Sequence, residues 1–248
     1  MNLVLQKSNI DNTQSSIKVT GSKSETNRLL LLQALYPNIE LENISQSDDS
    51  NVMTQAIKNC QLSTVNGQLI DIHHAGTAMR FLTAFFAIQE NKEVILTGSS
   101  RMKERPIKIL VEALKQLGAE ITYEENEGFP PIRIKGKKIT KNKVTLQADV
   151  SSQYISALLL IAPKLENGLE LTLKGEITSV PYIKMTLALL NEIGVETYFE
   201  NNTVKVNHQP STINHQPSTI NHQLITIESD WSSASYFYSI VALSEIGT

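Results

Sequence analysis

The sequence predicts an α+β fold of three βαβαββ-like units, with three apolar helices packed side by side and sheets and amphipathic helices outside them. Three observations carry this. Helices rich in apolar residues open after Gly21, at Gly76 and at Ser151, and a helix that is apolar nearly all round has to be buried. The order buried helix, strand, glycine, Pro-started helix, glycine, strand recurs at an offset of about 76 residues, beyond the usual solenoid range. No single unit can cover such a helix alone, so the units must pool them.

The first unit begins with a strand at 16–20 that ends on Gly21 and runs into Ser22-Lys23-Ser24-Glu25-Thr26-Asn27-Arg28 and a run of leucines. A strand-to-helix junction leaves backbone N–H groups and the positive end of the helix dipole unpaired, which is a seat for an anion. Lys23 adds a point charge, and Ser22, Ser24 and Thr26 add hydroxyls. Arg28, one turn further in, can make a two-pronged contact with phosphate or carboxylate. Taken alone, a Gly-Ser turn before a helix is more often only an N-cap. A short strand at 39–42 follows. Ser47, Asp48 and Asp49 are N-cap candidates for a helix with Met53, Ala56, Ile57 and Cys60 on one face. Asn66-Gly67 reads as a hairpin turn into a strand at 68–72.

The second unit restarts at His74-Ala75-Gly76-Thr77, and its helix runs to Gln89 through Met79, Phe81, Leu82, Phe85, Phe86 and Ile88. A strand at 94–98 leads into the basic loop Arg101-Met102-Lys103-Glu104-Arg105. Pro106 then opens an amphipathic helix with the stripe Ile107, Leu110, Val111, Leu114 and Leu117, which Gly118 ends. Strands near 120–123 and 132–134 complete the unit. In the third, Ser151-Ser152-Gln153 opens the apolar helix, followed by a strand at 169–173, Gly175, Ser179 and a helix begun by Pro181. Its stripe is Ile183, Leu187, Leu190 and Ile193, and Gly194 ends it.

Side-by-side packing of the apolar helices would bring residues 21–24, Gly76-Thr77 and 151–153 to one end. The loop 101–105 follows the strand leaving the Gly76 helix and can fold over that end, although such a loop with Glu104 as internal partner is ordinarily just solvated. Lys23, Arg28, Arg101 and Arg105 with several N–H and hydroxyl donors suit a small substrate carrying more than one anionic group, such as a phosphate and a carboxylate. Ser152 and Gln153 add partners for hydroxyls. His73 and His74 adjoin the site, where ligand contact and a structural role are both open.

Other features exclude alternatives. A net charge of −3 over 248 residues gives no reason to expect nucleic acid or an anionic membrane as partner. The single Cys60 rules out an internal disulfide. The N-terminus lacks a signal-peptide core and no apolar run approaches the roughly 20 residues that span a bilayer, so a cytoplasmic protein is expected. No catalytic triad, nucleotide loop or metal-ligand spacing is present, and no cofactor or metal is expected. His208, His215 and His222 recur every seven residues. Metal binding is the sharper reading of them. Pro210 and Pro217 prevent a helix that would gather the rings, no acidic or cysteine ligand accompanies them, and a solvated hairpin insertion accounts for them better. A last strand at 224–228 and a helix from Ser229-Asp230-Trp231 look like a fourth unit begun.

Gly21-Ser22-Lys23-Ser24 with Asn27-Arg28, Ala75-Gly76-Thr77-Ala78-Met79-Arg80, and Leu96-Thr97-Gly98 with Arg101-Met102-Lys103-Glu104-Arg105-Pro106-Ile107 resemble the 5-enolpyruvylshikimate-3-phosphate synthase family. So do Ser151-Ser152-Gln153, Ser179 with Pro181-Tyr182-Ile183, and Asp230 with Ser232-Ser233-Ala234-Ser235-Tyr236-Phe237. The matches are ordered and span nearly the whole chain. The resemblance implies an inverse α/β barrel, one of two similar domains that close on the substrates. The activity it implies is transfer of the enolpyruvyl group of phosphoenolpyruvate to the 5-hydroxyl of shikimate 3-phosphate with release of phosphate, on the route to chorismate and the aromatic amino acids. It places Lys23, Ser24 and Arg28 on shikimate 3-phosphate, with Lys23 also reaching phosphoenolpyruvate. Ser151, Ser152, Gln153, Ser179 and Tyr182 would hold the shikimate side, and Gly76, Arg105 and Gln153 the phosphoenolpyruvate side, with Thr77 also counted among the substrate-binding residues.

On this resemblance residues 15–227 are one complete domain, with 1–14 and 228–248 belonging to a second, truncated one. The family's general acid/base residues would lie beyond residue 248, so the chain alone is expected to be inactive, and the full-length protein to be a monomer. The family carries asparagine where this chain has His74, and Asp230 matches the start of the second domain rather than the catalytic aspartate. Two rivals remain. One is an enolpyruvyl transferase acting on UDP-N-acetylglucosamine, which should carry a reactive cysteine in the basic loop, where this chain has none. The other is a non-catalytic anion-binding domain.

Overall fold

The computed structural model describes residues 16–62, 67–209, 212–213, 216–217 and 223–243. The first unit comprises α1 (Lys23–Leu35), β1 (Ile39–Glu42) and α2 (Asp48–Leu62). The second contains β2 (Gln68–Asp71), α3 (Gly76–Ala87), β3 (Glu93–Thr97), α4 (Ser100–Lys103), α5 (Lys108–Leu117), β4 (Glu120–Tyr123) and β5 (Ile132–Lys135). The third contains β6 (Lys143–Gln147), α6 (Ser152–Ile161), β7 (Leu169–Lys174), α7 (Val180–Glu192), β8 (Thr197–Glu200) and β9 (Thr203–Val206). The two-residue strands β10 (Thr212–Ile213) and β11 (Gln216–Pro217), then β12 (Gln223–Thr226) and α8 (Trp231–Leu243), follow.

The two later units share one topology. Their sheets run β2-β3-β5-β4 and β6-β7-β9-β8, each with one parallel pair followed by two antiparallel pairs. Alternation turns Val94 and Leu96, Ile132 and Ile134, and Leu169, Leu171 and Leu173 inward while their neighbours face solvent. Each sheet therefore covers the helices with one face. At the centre α1, α3 and α6 touch one another. Of α3, only Thr77 escapes full burial, and α6 is buried from Tyr154 to its end. The amphipathic helices fill the outer grooves in rotation: α2 against α1 and α3, α5 against α3 and α6, α7 against α6 and α1. This is the threefold arrangement the sequence predicts. Gly118 and Gly194 end α5 and follow α7 at φ +108° and +86°, a conformation that favours glycine.

Several local expectations need correction. Residues 16–20 form no strand; the only bridge nearby joins Gly21 to Ser229. The first unit is completed instead by β12, which pairs in parallel with β1. Pro106 is not the first helical residue, since α5 begins at Lys108 after Ile107. The basic loop contains the single turn α4, whose N-cap Ser99 accepts a hydrogen bond from Met102 N at 3.4 Å. Asn66, His215 and His222 lie outside the described residues. His208 Nδ1 sits 2.7 Å from the Leu165 carbonyl, and the antiparallel β10–β11 pair agrees with the hairpin reading.

Candidate active site

The starts of α1, α3 and α6 converge on a cavity of about 950 Å³. From α1 and the residue before it come Ser22, Lys23, Ser24, Glu25 and Arg28; α3 gives Thr77 and Phe81; Ser151, Ser152 and Gln153 come from the start of α6; Tyr182 and Met185 come from α7. Residues 228–233 and Tyr236 form the facing wall. Neither Ser22 nor Ala75 caps its helix through a side chain, so the starts of α1 and α3 leave N–H groups at the cavity. Ser151 Oγ accepts from Gln153 N at 3.4 Å. Thr77 and Gln153 occupy equivalent places in successive units, 76 residues apart, and Gln153 Nε2 donates to Thr77 Oγ1 at 3.2 Å.

Gly21 sets the entry to α1. A Cβ there would collide with the Asn43 carbonyl and come within 2.9 Å of Ile227. The close approach lets Ser22 N donate to Glu228 O at 2.8 Å and Asp230 N to Thr20 O at 2.9 Å, binding the segments at 20–22 and 228–230 side by side.

Arg28 lies at the cavity floor, 3% exposed. Its Nε donates to Thr186 Oγ1 (2.8 Å), Nη1 to Ser24 O (2.7 Å) and Nη2 to Ser156 Oγ (2.9 Å). Its Cζ sits 5.5 Å and 5.7 Å from the ring centroids of Phe81 and Tyr182. None of these partners is charged. Burial pulls the guanidinium down to about 10, so it stays cationic at neutral pH.

Arg105 lies against Gly76, whose Cα approaches the guanidinium so closely that a Cβ would sit 2.6 Å from Nη2. The backbone after Arg105 is held from two sides: Arg80 Nη2 (3.1 Å) and the Tyr154 hydroxyl (2.7 Å) both donate to the Pro106 carbonyl. Arg80 Nη1 also donates to Gly76 O at 3.1 Å, which ties the start of α3 to the Arg105 segment. Lys23 is exposed at the rim and enters no ion pair among the described residues. Burial, reinforced by the Glu228 charge, raises the Glu25 carboxyl, while the Glu228 N–H it accepts pulls the other way.

The structure thus gathers Lys23, Ser24, Arg28, Thr77, Ser151, Ser152, Gln153 and Tyr182 around one space, with Gly76 and Arg105 adjoining Thr77. Ser179 caps the start of α7 one turn before Tyr182 and does not line the cavity, and neither do His73, His74 and Arg101. Sequence reasoning gave no role to Thr186, Ser156, Arg80 or Tyr154. A lone arginine on the apolar α3 was the one available signal.

A family model described as EPSP synthase (3-phosphoshikimate 1-carboxyvinyltransferase) matches residues 7–246. This chain belongs to the EPSP synthase family. A 3-phosphoshikimate 1-carboxyvinyltransferase of Bacteroides fragilis is 47% identical over 233 residues, covering 93% of this chain and 53% of the relative. One of Histophilus somni is 40% identical over 262 residues, covering 96% and 59%. Among solved structures, EPSP synthase from Acinetobacter baumannii superposes with a TM-score of 0.72 at 20% identity, over 92% of this chain and 53% of that one. The enolpyruvyl transferase NikO from Streptomyces tendae gives 0.63 at 12% identity, over 94% and 56%. These two share the fold of the EPSP synthase family member described here. The chain spans about half the length of the curated relatives it matches. Among the described residues no helix is long and apolar enough to cross a membrane.

Proposed function

We propose that this chain forms the shikimate-3-phosphate-binding half of an enzyme that transfers the enolpyruvyl group of phosphoenolpyruvate to the 5-hydroxyl of shikimate 3-phosphate, a step toward chorismate and the aromatic amino acids. The observation that carries the reading is Arg28, a buried guanidinium with no counter-charge among the described residues, at the floor of a cavity ringed by helix starts and hydroxyls. Lys23, Ser24 and Arg28 take the anionic groups of shikimate 3-phosphate. Ser151, Ser152, Gln153 and Tyr182 take its hydroxyls and ring, with Ser179 beside them at the start of α7. Gly76, Thr77, Arg105 and Gln153 face phosphoenolpyruvate. In the reaction an acid protonates the methylene carbon of phosphoenolpyruvate, turning it into a methyl group, while the 5-hydroxyl adds to C2 and gives its proton to a base. Phosphate then leaves the tetrahedral adduct as a base removes one methyl proton, which restores the carbon–carbon double bond. Lys23 and Arg105 stabilise the phosphate and carboxylate charge through these steps.

The extent of the core supports the proposed domain division. Buried apolar residues form one cluster from Leu29 to Ile227, whereas α8 buries none of its residues. Residues 15–227 then act as one body, and the paired segments at 20–22 and 228–230 form the hinge to a second. Among the described residues, the carboxylates lining the cavity each accept a hydrogen bond from the chain itself. Glu25 accepts from Glu228 N, Glu228 from Trp231 Nε1, and Asp230 from Ser232 N and Ser233 Oγ. The chain spans 53% of the Bacteroides fragilis relative, and residues 1–248 alone are expected to bind substrate without turnover; steady phosphate release with both substrates present would contradict this.

Calorimetry tests the assignment: the chain should bind shikimate 3-phosphate and not UDP-N-acetylglucosamine, and the opposite preference would overturn it. The absence of cysteine from residues 99–107, with Cys60 buried on α2, favours the first outcome. In protein that turns over, Lys23→Ala should lower kcat about a hundredfold or more, and unchanged kinetics would remove Lys23 from the site. Gly76→Ala should push the Arg105 guanidinium aside. Its tip is flexible, so the melting temperature should barely move while phosphoenolpyruvate binds about tenfold more weakly; unaltered affinity would separate Arg105 from that ligand.

A further inference from the structure

The hydroxyls around Arg28 have only one consistent proton arrangement. Thr186 Oγ1 donates to the Tyr182 carbonyl at 2.8 Å, which uses its single proton. The 3.0 Å contact between Ser156 Oγ and Thr186 Oγ1 must then be donated by Ser156. Both oxygens accordingly turn lone pairs toward the guanidinium, Thr186 accepting from Nε and Ser156 from Nη2. Thr186 and Ser156 are each 0% exposed and come from α7 and α6, whereas Arg28 comes from α1. With the Ser24 carbonyl on Nη1, three of the guanidinium's N–H groups are held and two are left. A buried arginine is ordinarily fixed by a carboxylate, which would satisfy those N–H groups and cancel the charge in one stroke. Here neutral acceptors hold the group, and among the described residues no carboxylate pairs with it.

We propose that Thr186 and Ser156 are positioning residues that aim Arg28 at the cavity, and that their neutrality reserves its full charge for an anionic group of the ligand. This deepens the proposed function, resting on Arg28 as a contact for shikimate 3-phosphate. Neither residue lines the cavity itself, so each acts through a neighbour, and the side chain both of them hold is Arg28.

The test titrates the 248-residue chain with shikimate 3-phosphate and follows the Arg28 Nε–H resonance by NMR and the melting temperature. Thr186→Ser keeps a neutral acceptor and should bind within about threefold of wild type. Thr186→Val removes the acceptor and should weaken binding about tenfold or more while the Nε–H loses its protection from solvent exchange. Thr186→Asp keeps an acceptor but adds a counter-charge; it should melt at or above the wild-type temperature yet bind about a hundredfold more weakly. Wild-type affinity in Thr186→Asp would overturn the claim about charge, and wild-type affinity with an unmoved Nε–H in Thr186→Val would overturn the claim about position. If Thr186→Val fails to fold, Ser156→Ala should weaken binding severalfold, and wild-type affinity there would count against the proposal. Should the wild-type chain itself not bind shikimate 3-phosphate, the functional reading falls. The Nε–H comparison would still report whether Thr186 holds the guanidinium.

Discussion

Arg28→Met is expected to abolish binding of shikimate 3-phosphate, by a factor of about a hundred or more, without lowering the melting temperature. The two halves of this expectation come from the same burial. A guanidinium at 3% exposure, with no carboxylate partner among the described residues, has lost its hydration and regains neutral hydrogen bonds and two ring faces. Replacing such a group with an apolar chain of similar volume is often neutral or stabilising. The partners left behind are not orphaned: Thr186 still donates to Tyr182 O and accepts from Ser156, and the Ser24 carbonyl stays within the α1 backbone. For the ligand the change is the reverse, since it loses the one charged group seated inside a low-dielectric floor, where a charge acts most strongly. Calorimetry and a thermal melt on the same preparation decide it. A variant that melts far below wild type would mean that the arginine supports the fold, and a variant that binds normally would take it out of the site.

Phe86→Ala is expected to remove about 3–5 kcal/mol of stability while sparing the site. Phe86 is 1% exposed, lies edge-to-face with Phe85 at 5.3 Å, and belongs to the helix that touches α1, α2, α5 and α6 at once. The cavity it would leave cannot collapse readily, because helices of all three units and the second sheet pack against α3. Phe86 nevertheless stands about 15 Å along the helix from Gly76, given a rise of 1.5 Å per residue. Urea unfolding should show the midpoint falling at constant slope, with ligand affinity retained where the variant is folded. A loss under about 1 kcal/mol would show that the three apolar helices do not share one core.

Much of this architecture can be read in the chain because it is written in local rules. The stripes on α2, α5 and α7 announce buried faces, and glycines stand where the chain needs positive φ at 118 and 194. The site is legible to the extent that it is made of helix starts, which is why Lys23, Thr77 and Gln153 emerge together. Features set by distant partners do not show. The apolar alternation at 16–20 looks like a strand, but a strand exists only with a ladder beside it, and that place belongs to β12. Pro106 looks like a helix start, yet its carbonyl is taken by Arg80 and Tyr154 and α5 opens two residues later. Thr186 and Ser156 are invisible for another reason: a hydroxyl on an apolar helix ordinarily bonds back to its own turn, as Thr186 does with Tyr182. Only coordinates reveal the arginine on its other side.

The pairing of β1 with β12 also constrains how the molecule can be made. Asn43 and Ile227, joined by a hydrogen bond beside that pair, are 184 residues apart. At ordinary translation speeds the partner leaves the ribosome roughly 10–40 s after β1 does. The second and third sheets hold all their strands within themselves and can close while synthesis continues. The first must wait with an open edge, so the helix starts around the cavity are not all fixed in place until a strand some 184 residues further along the chain has arrived.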